Sequence, residues 1–181
     1  MGQFTHLPPG AARHRSRGFT MMELIVTLSI VAILSAVAVP AMREFSLRAN
    51  VSATTNDIVV ALNLARSEAV KRGRNVSVVS TGGSWTAGWS VQTDTGVVLV
   101  QHAAVATDYS VLGAASGAGA PADRVIFTPT GGLSVATAYD FSICRPSADV
   151  DNLLSRRVAV SATGLIRSRR DTTSAPAGSC T

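Results

Sequence analysis

Arg17-Gly18-Phe19-Thr20-Met21-Met22-Glu23-Leu24-Ile25-Val26-Thr27-Leu28-Ser29-Ile30-Val31-Ala32-Ile33-Leu34-Ser35-Ala36-Val37-Ala38-Val39-Pro40 is the stretch whose reading decides the fold. No residue from Leu24 to Val39 is charged. With its flanks, Phe19 to Ala41, it is long enough as a helix to cross a hydrocarbon core of roughly 30 Å. The exception is Glu23, just inside the apolar run, where an unpaired ionised carboxylate costs on the order of 3 kcal/mol at the bilayer centre. A cationic partner is therefore expected.

Three arrangements share such a run. An ordinary secretory signal has a basic front, an apolar core and a small-residue site, which Ala36-Val37-Ala38 would supply. A single-pass anchor needs only the apolar residues. Neither calls for a glutamate at the start of the core or a Gly-Phe-Thr junction before it. A basic leader ending in Gly18, then Phe19, then Glu23, then an apolar helix with Pro40 near its end resembles the class III signal of type IV pilins and pseudopilins. The resemblance implies that a prepilin peptidase cuts between Gly18 and Phe19 and that the new terminus, Phe19, is methylated. It also implies a partner for Glu23, the terminal amine of a neighbouring subunit in a helical fibre. Pairing the two removes two isolated charges together.

Outward from this stretch the chain changes character on both sides. Met1 to Arg17 holds Pro8, Pro9, two histidines and three arginines without apolar periodicity, and reads as a cytoplasmic leader kept inside by its arginines. Beyond Pro40, Leu47, Val51, Thr54, Ile58, Leu62, Ala65 and Ala69 recur every three or four residues, an amphipathic helix pattern. Gly73 is a helix stop, and Pro40 is expected to bend the rod rather than end it. A continuous helix from Phe19 to Arg72 would measure about 80 Å.

Charge narrows the function classes. Sixteen basic and 11 acidic residues give a formal +5, but Arg13, Arg15 and Arg17 would leave with the leader and no acid would, so 13 and 11 remain and the charge falls to +2. Whole-chain charge is thus no argument for nucleic acid. Between Asn75 and Ile143 the charged residues are Asp94, Asp108, Asp123, Arg124 and Asp140, whereas Arg156, Arg157, Arg167, Arg169 and Arg170 crowd the far end.

Residues after Arg74 read as strands and turns. Asn75–Ser80 is valine-rich, Gly82-Gly83 turns, and Trp89–Thr93 and Val97–Gln101 complete a meander. Trp85 and Trp89 are expected at the edge of the core. Leu112 to Pro121, rich in glycine and alanine, reads as a mobile loop. Further strands are expected at Arg124–Thr128, Ala138–Cys144, Arg157–Ser161 and Leu165–Arg167, with Arg145–Leu154 a polar connection.

The words Leu64-Ala65-Arg66-Ser67-Glu68-Ala69-Val70-Lys71-Arg72-Gly73 running into a valine-rich strand are similar to the GspH/FimT subfamily, which covers pseudopilin H of type II secretion and certain minor type IV pilins. Read from the residues alone, Arg66, Glu68, Lys71 and Arg72 form a solvated helix face with weak pairing. Members linked to DNA uptake close with Gly-Arg-x-Arg. Here the words are Gly164-Leu165-Ile166-Arg167, matching at the glycine and the second arginine. Convergence of Arg156, Arg157, Arg167, Arg169 and Arg170 on one face would permit salt-sensitive, sequence-independent DNA binding. The plainer alternative is a solvated basic rim that docks a neighbouring pilin.

Cys144 and Cys180 lie beyond the membrane segment, in an oxidising compartment, and an even pair there is most simply a disulfide. It would close a loop of about 36 residues, worth roughly 3 to 4 kcal/mol by chain entropy. Two buried free thiols are the alternative. Past the leader the one histidine is His102, and no carboxylate or cysteine cluster has metal-ligand spacing. No enzyme, metal or cofactor is expected.

The expectation is an α+β fold of type IV pilin kind: residues 1–18 a cleaved leader, 19–41 a transmembrane and assembly helix, 42–74 an amphipathic helix, and 75–181 a small antiparallel β-domain. The resemblance implies a minor pilin or pseudopilin, in the inner membrane with its C-terminal domain periplasmic and then in a pilus or pseudopilus fibre. Its partners would be other pilin subunits, prepilin peptidase, the inner membrane and, in the transformation alternative, DNA.

Overall fold

The computed structural model describes residues 18–117, 119–135, 138–145 and 155–170. The chain falls into two units, the first ending at Met42 and the second starting at Arg43. One helix, α1 (Met21–Arg72), contributes to both. Thr20 caps it: the Thr20 hydroxyl accepts from the Glu23 amide at 3.2 Å and the Thr20 carbonyl accepts from Leu24 N at 3.2 Å. A threonine in this place satisfies amides that have no partner within the helix. Pro40 lies inside α1, which continues for 32 residues beyond it.

In the first unit every large apolar side chain from Phe19 to Val39 is exposed, Met21 by 79% and Val37 by 73%. Its hydroxyls are satisfied locally. Thr27 donates to the Glu23 carbonyl at 2.9 Å, Ser29 to Ile25 at 2.8 Å and Ser35 to Val31 at 2.7 Å. Turning hydroxyls back onto the preceding turn is what a polar side chain needs on a helix placed in hydrocarbon.

In the second unit the helix is amphipathic as its spacing requires. Val51, Ile58, Leu62, Ala65 and Ala69 are buried, while Val60, Asn63, Ser67 and Val70 on the opposite side are exposed. Alanine at 65 and 69 lets strands approach the helix closely, and burial of a residue such as Leu62 contributes roughly 1.5 to 3 kcal/mol. Gly73, at φ 63°, ends the helix, and the Arg74 amide donates to the Ala69 carbonyl at 3.3 Å. A left-handed residue after the last turn suits glycine, which has no Cβ to clash.

Eight strands follow: β1 (Val76–Thr81), β2 (Ser84–Thr93), β3 (Val98–His102), β4 (Ser110–Ser116), β5 (Arg124–Phe127), β6 (Ala138–Cys144), β7 (Arg156–Ser161) and β8 (Ile166–Arg170). They form two antiparallel four-stranded sheets, ordered β3-β2-β1-β5 and β4-β6-β7-β8. The first three strands are the expected meander. Alternation sends Val76 and Val78, then Trp89 and Val91, into one core with Phe141, Ile143, Val158 and Val160 from the second sheet. Thr86 links the sheets, its hydroxyl accepting from Val111 N at 2.9 Å and donating to Val111 O at 3.3 Å.

Two expectations are corrected. The glycine- and alanine-rich stretch begins inside β4, not in a mobile loop: Ser110 to Ser116 pairs with Cys144 to Ala138. Its small residues meet a packing demand rather than flexibility, because a side chain at Gly113 would run into the Trp85 indole. The tryptophans are not at the edge of the core either, being 4% and 2% exposed. Trp85 meets Phe141 edge-on at 4.7 Å, and its Nε1 donates to Ala122 O at 2.9 Å. Tyr139 donates its hydroxyl to the same carbonyl. Indole and phenol are buried here with their polar tips satisfied. Most of the Arg145–Leu154 connection lies outside the described residues.

Candidate functional site

The residues singled out by sequence occupy three places. The first is the start of α1. Gly18 precedes the helix with open space around its Cα, Phe19 is 82% exposed, and Glu23 stands in the first helical turn with its amide held by Thr20. A carboxylate there also interacts favourably with the helix macrodipole. Beyond it α1 holds an 18-residue window of mean hydropathy 2.5, none of it buried, long and apolar enough to cross a membrane. A helix apolar all round must be covered by lipid or by other helices.

The second place is the end of α1, where the structure departs from the solvated face expected of the charged residues. Arg66 lies across two turns of different sheets. Its Nε donates to the Gly131 carbonyl at 2.9 Å and its Nη2 to Thr163 O at 3.4 Å. The same turns meet directly, Leu133 N donating to Ala162 O at 2.8 Å. Gly164, at φ 75°, packs so tightly that a Cβ would collide with the Gly131 carbonyl. The glycine of the closing motif is therefore used for close backbone approach, and helix, first sheet and second sheet are fastened at one point. Gly131 gave no sign of this in the sequence, and Gly164 stood out there only as the glycine of the closing motif.

Around that point the helix charges pair as their spacing allows. Glu68 accepts from Arg72 at 2.6 Å and from Lys71 at 3.5 Å. The Arg72 hydrogen bond, with the positive charges of Lys71 and Arg72, holds the Glu68 carboxyl below its ordinary value against a desolvation cost. Arg74 reaches Asp94 on the β2–β3 turn at 2.8 Å. His102 is half-buried, stacked on Trp89 at 4.0 Å, with Nε2 3.1 Å from Asp57 Oδ2 and Nδ1 2.7 Å from Ala103 O. The sequence marked His102 only as the one histidine past the leader. Here it ties β3 to α1.

The third place is the arginine-rich hairpin. Register pairs Arg157 with Arg169, Ala159 with Arg167 and Arg156 with Arg170. Because strand neighbours alternate, Arg157, Arg167 and Arg169 belong to the outer face, while Arg156 and Arg170 fall at positions of the face bearing Val158 and Val160. Register thus divides the five positions between two faces of the hairpin. Arg157 donates from Nε to Asp140 at 3.0 Å, a pair only 13% and 25% exposed. Among the described residues no cysteine is free and no group of three or more His, Cys, Asp or Glu could hold a metal. Cys144 is buried at the end of β6, and Cys180 lies outside the described residues.

The sequence profile described as "Type II transport protein GspH" matches residues 54–164, from the amphipathic helix to the closing glycine. The chain belongs to the GspH family. A second profile, the prokaryotic N-terminal methylation motif, covers residues 13–39. As a GspH-family chain carrying that motif, it is a minor pilin or pseudopilin, a structural assembly subunit of a type IV pilus or type II secretion system. Solved structures support the GspH fold. The type IV minor pilin FimU of Pseudomonas aeruginosa is 23% identical, with a TM-score of 0.54, over 70% of this chain and 98% of that one. The minor pseudopilin EpsH of the Vibrio cholerae type 2 secretion system is 16% identical, with a TM-score of 0.51, over 67% and 97%. No curated protein sequence matches the chain.

Proposed function

We propose that this GspH-family chain is cut between Gly18 and Phe19 by a prepilin peptidase, methylated at Phe19, and drawn from the inner membrane into a type IV pilus, where it primes or joins the fibre. In the membrane it spans once with its C-terminal domain periplasmic, as the leader arginines favour. The observation that carries this reading lies at the start of α1: one carboxylate, Glu23, heads a run from Leu24 to Val39 that is uncharged and whose large apolar side chains are all exposed. Cutting at Gly18 places a new ammonium one turn from that carboxylate in the same chain and, in a stack of helices, beside the carboxylate of a neighbour. Compensating both charges at once favours stacking over remaining apart in lipid.

The test is incorporation. Glu23→Gln keeps the size and hydrogen bonding of the side chain but removes its charge. Leader removal should proceed while the amount of the chain in sheared fibres falls about tenfold or more. Normal incorporation would refute the charge pairing. Type II secretion has the family description and the EpsH fold in its favour, and it would use the same chemistry. Deleting the gene and measuring twitching and secretion in parallel separates the two. DNA uptake is the weaker reading, since the register divides the arginines between two faces.

A further inference from the structure

Two strands end the sheets with contrasting chemistry. β3, at one end, exposes Val98 and Val100 and carries no charged carboxylate, lysine or arginine. β8, at the end of the other sheet, pairs with β7 on one side and with no strand among the described residues on the other. An open edge presents unpaired backbone donors and acceptors to any extended chain that approaches. Among the described residues that edge of β8 is unpaired, and Arg167 and Arg169 stand beside it on the outer face of the sheet.

The register makes this charge conspicuous. Arg169 stands directly opposite Arg157, a like-charge cross-strand pair. Like charges placed directly opposite are destabilising. Asp140 answers Arg157 at 3.0 Å. Arg167 and Arg169 are exposed on the same outer face and have no carboxylate partner among the described residues. The outer face of the sheet therefore gathers positive charge toward its open side.

We propose that β8 is a docking edge for an extended acidic segment of a different subunit in the same fibre, which adds to the sheet as a fifth strand with carboxylates against Arg167 and Arg169. Main-chain pairing along an open edge supplies the contact, and side chains at alternate positions supply the selection. Arg167 and Arg169 are two residues apart on one face, roughly 6 to 7 Å along the strand, the spacing of acidic residues at alternate positions of an incoming strand. The same arginines exclude a second copy of this chain, since β8 laid against β8 sets guanidinium groups against each other. A nucleic acid backbone fits this face less well. Asp140 shares it, and Arg156 and Arg170 belong to the other side, so a phosphate track would find two uncompensated cations and a carboxylate. The proposal rests on the assembly reading for its choice of partner.

The experiment uses the full chain in detergent micelles and three labelled probes: a peptide of about ten residues alternating Thr and Glu, its Thr and Lys counterpart, and a DNA duplex of about 20 base pairs. The acidic peptide should bind in a salt-sensitive manner and slow hydrogen exchange at the amides of β8, and the basic peptide should not bind. In the doubly substituted Arg167→Glu, Arg169→Glu chain, affinity for the acidic peptide should drop about tenfold or more and the basic peptide should bind instead. If that variant does not fold, Arg167→Gln with Arg169→Gln should still lose the acidic peptide. No binding, binding unchanged by either double substitution, binding without protection of β8, or displacement of the peptide by DNA would each overturn the proposal. The measurement involves neither processing nor a fibre, so its failure leaves the Glu23 reading standing.

Discussion

The guanidinium of Arg66 donates from Nε to the Gly131 carbonyl at 2.9 Å, so a helix side chain closes a turn 65 residues away. Thr163 O, at 3.4 Å from Nη2, brings in the other sheet. The geometry uses two donors of a rigid fork toward two carbonyls, which a lysine ammonium on a flexible stem would not reproduce. Arg66→Lys is expected to destabilise the second unit by about 1 to 2 kcal/mol and Arg66→Ala by about 1 to 3 kcal/mol. Thermal unfolding of the full chain in micelles checks the order, and faster exchange at the Leu133 amide would place the loss at this junction.

Gly164 should tolerate substitution less well than Arg66. Its φ of 75° disfavours any side chain, and a Cβ would strike the Gly131 carbonyl. Gly164→Ala should cost more than the roughly 1 kcal/mol expected at an exposed left-handed position. Gly82→Ala, at φ 59° with open space around it, is the matched control in the same melting experiment.

Gly113 tests whether β4 is chosen for close packing. Gly113→Val places a branched side chain where the Trp85 indole lies, so the tryptophan must move or the sheets must part. Overpacking of this kind costs typically 1 to 3 kcal/mol. A change in tryptophan emission together with a lower melting temperature is the expected outcome, whereas an unchanged spectrum would mean the indole does not rest on this strand.

Tyr139 gives the fold an alkaline limit. Burial pushes its phenol up to about 12, so the folded state holds the neutral form over a range where an unfolded chain ionises at about 10. A folded value raised above the unfolded one means the contribution is complete below about 10 and is lost as pH rises toward 12. Stability of the unsubstituted chain should therefore fall more steeply over that window than stability of Tyr139→Phe, which denaturant midpoints at successive pH values would show.

The proposed Cys144–Cys180 bridge has its own readout. Reducing agent should lower the melting temperature of the full chain, by a loss of about 2 to 4 kcal/mol if the loop behaves as chain entropy predicts. An unchanged midpoint would mean that the bridge does not stabilise the fold. Replacing Gly18 by a bulky residue should leave the precursor uncut, and intact mass of the membrane-bound chain reports it.

Local pattern was enough to determine the uncharged run after Glu23, the three-four recurrence from Leu47 to Ala69, and the alternating valines of β1 and β7. Each follows from a periodicity that neighbouring residues write by themselves. The run from Arg17 to Pro40 likewise carried the processing and assembly expectations, because that chemistry belongs to one contiguous segment. What only tertiary structure decided involves partners distant in the chain. Gly113 reads as flexible until Trp85 fills the space above it, Arg66 reads as solvated until Gly131 and Thr163 arrive from two sheets, and five neighbouring arginines read as one patch until strand register divides them. Periodicity specifies which face a residue occupies relative to its neighbours. What that face meets is settled by packing between segments dozens of residues apart, and no local pattern records it.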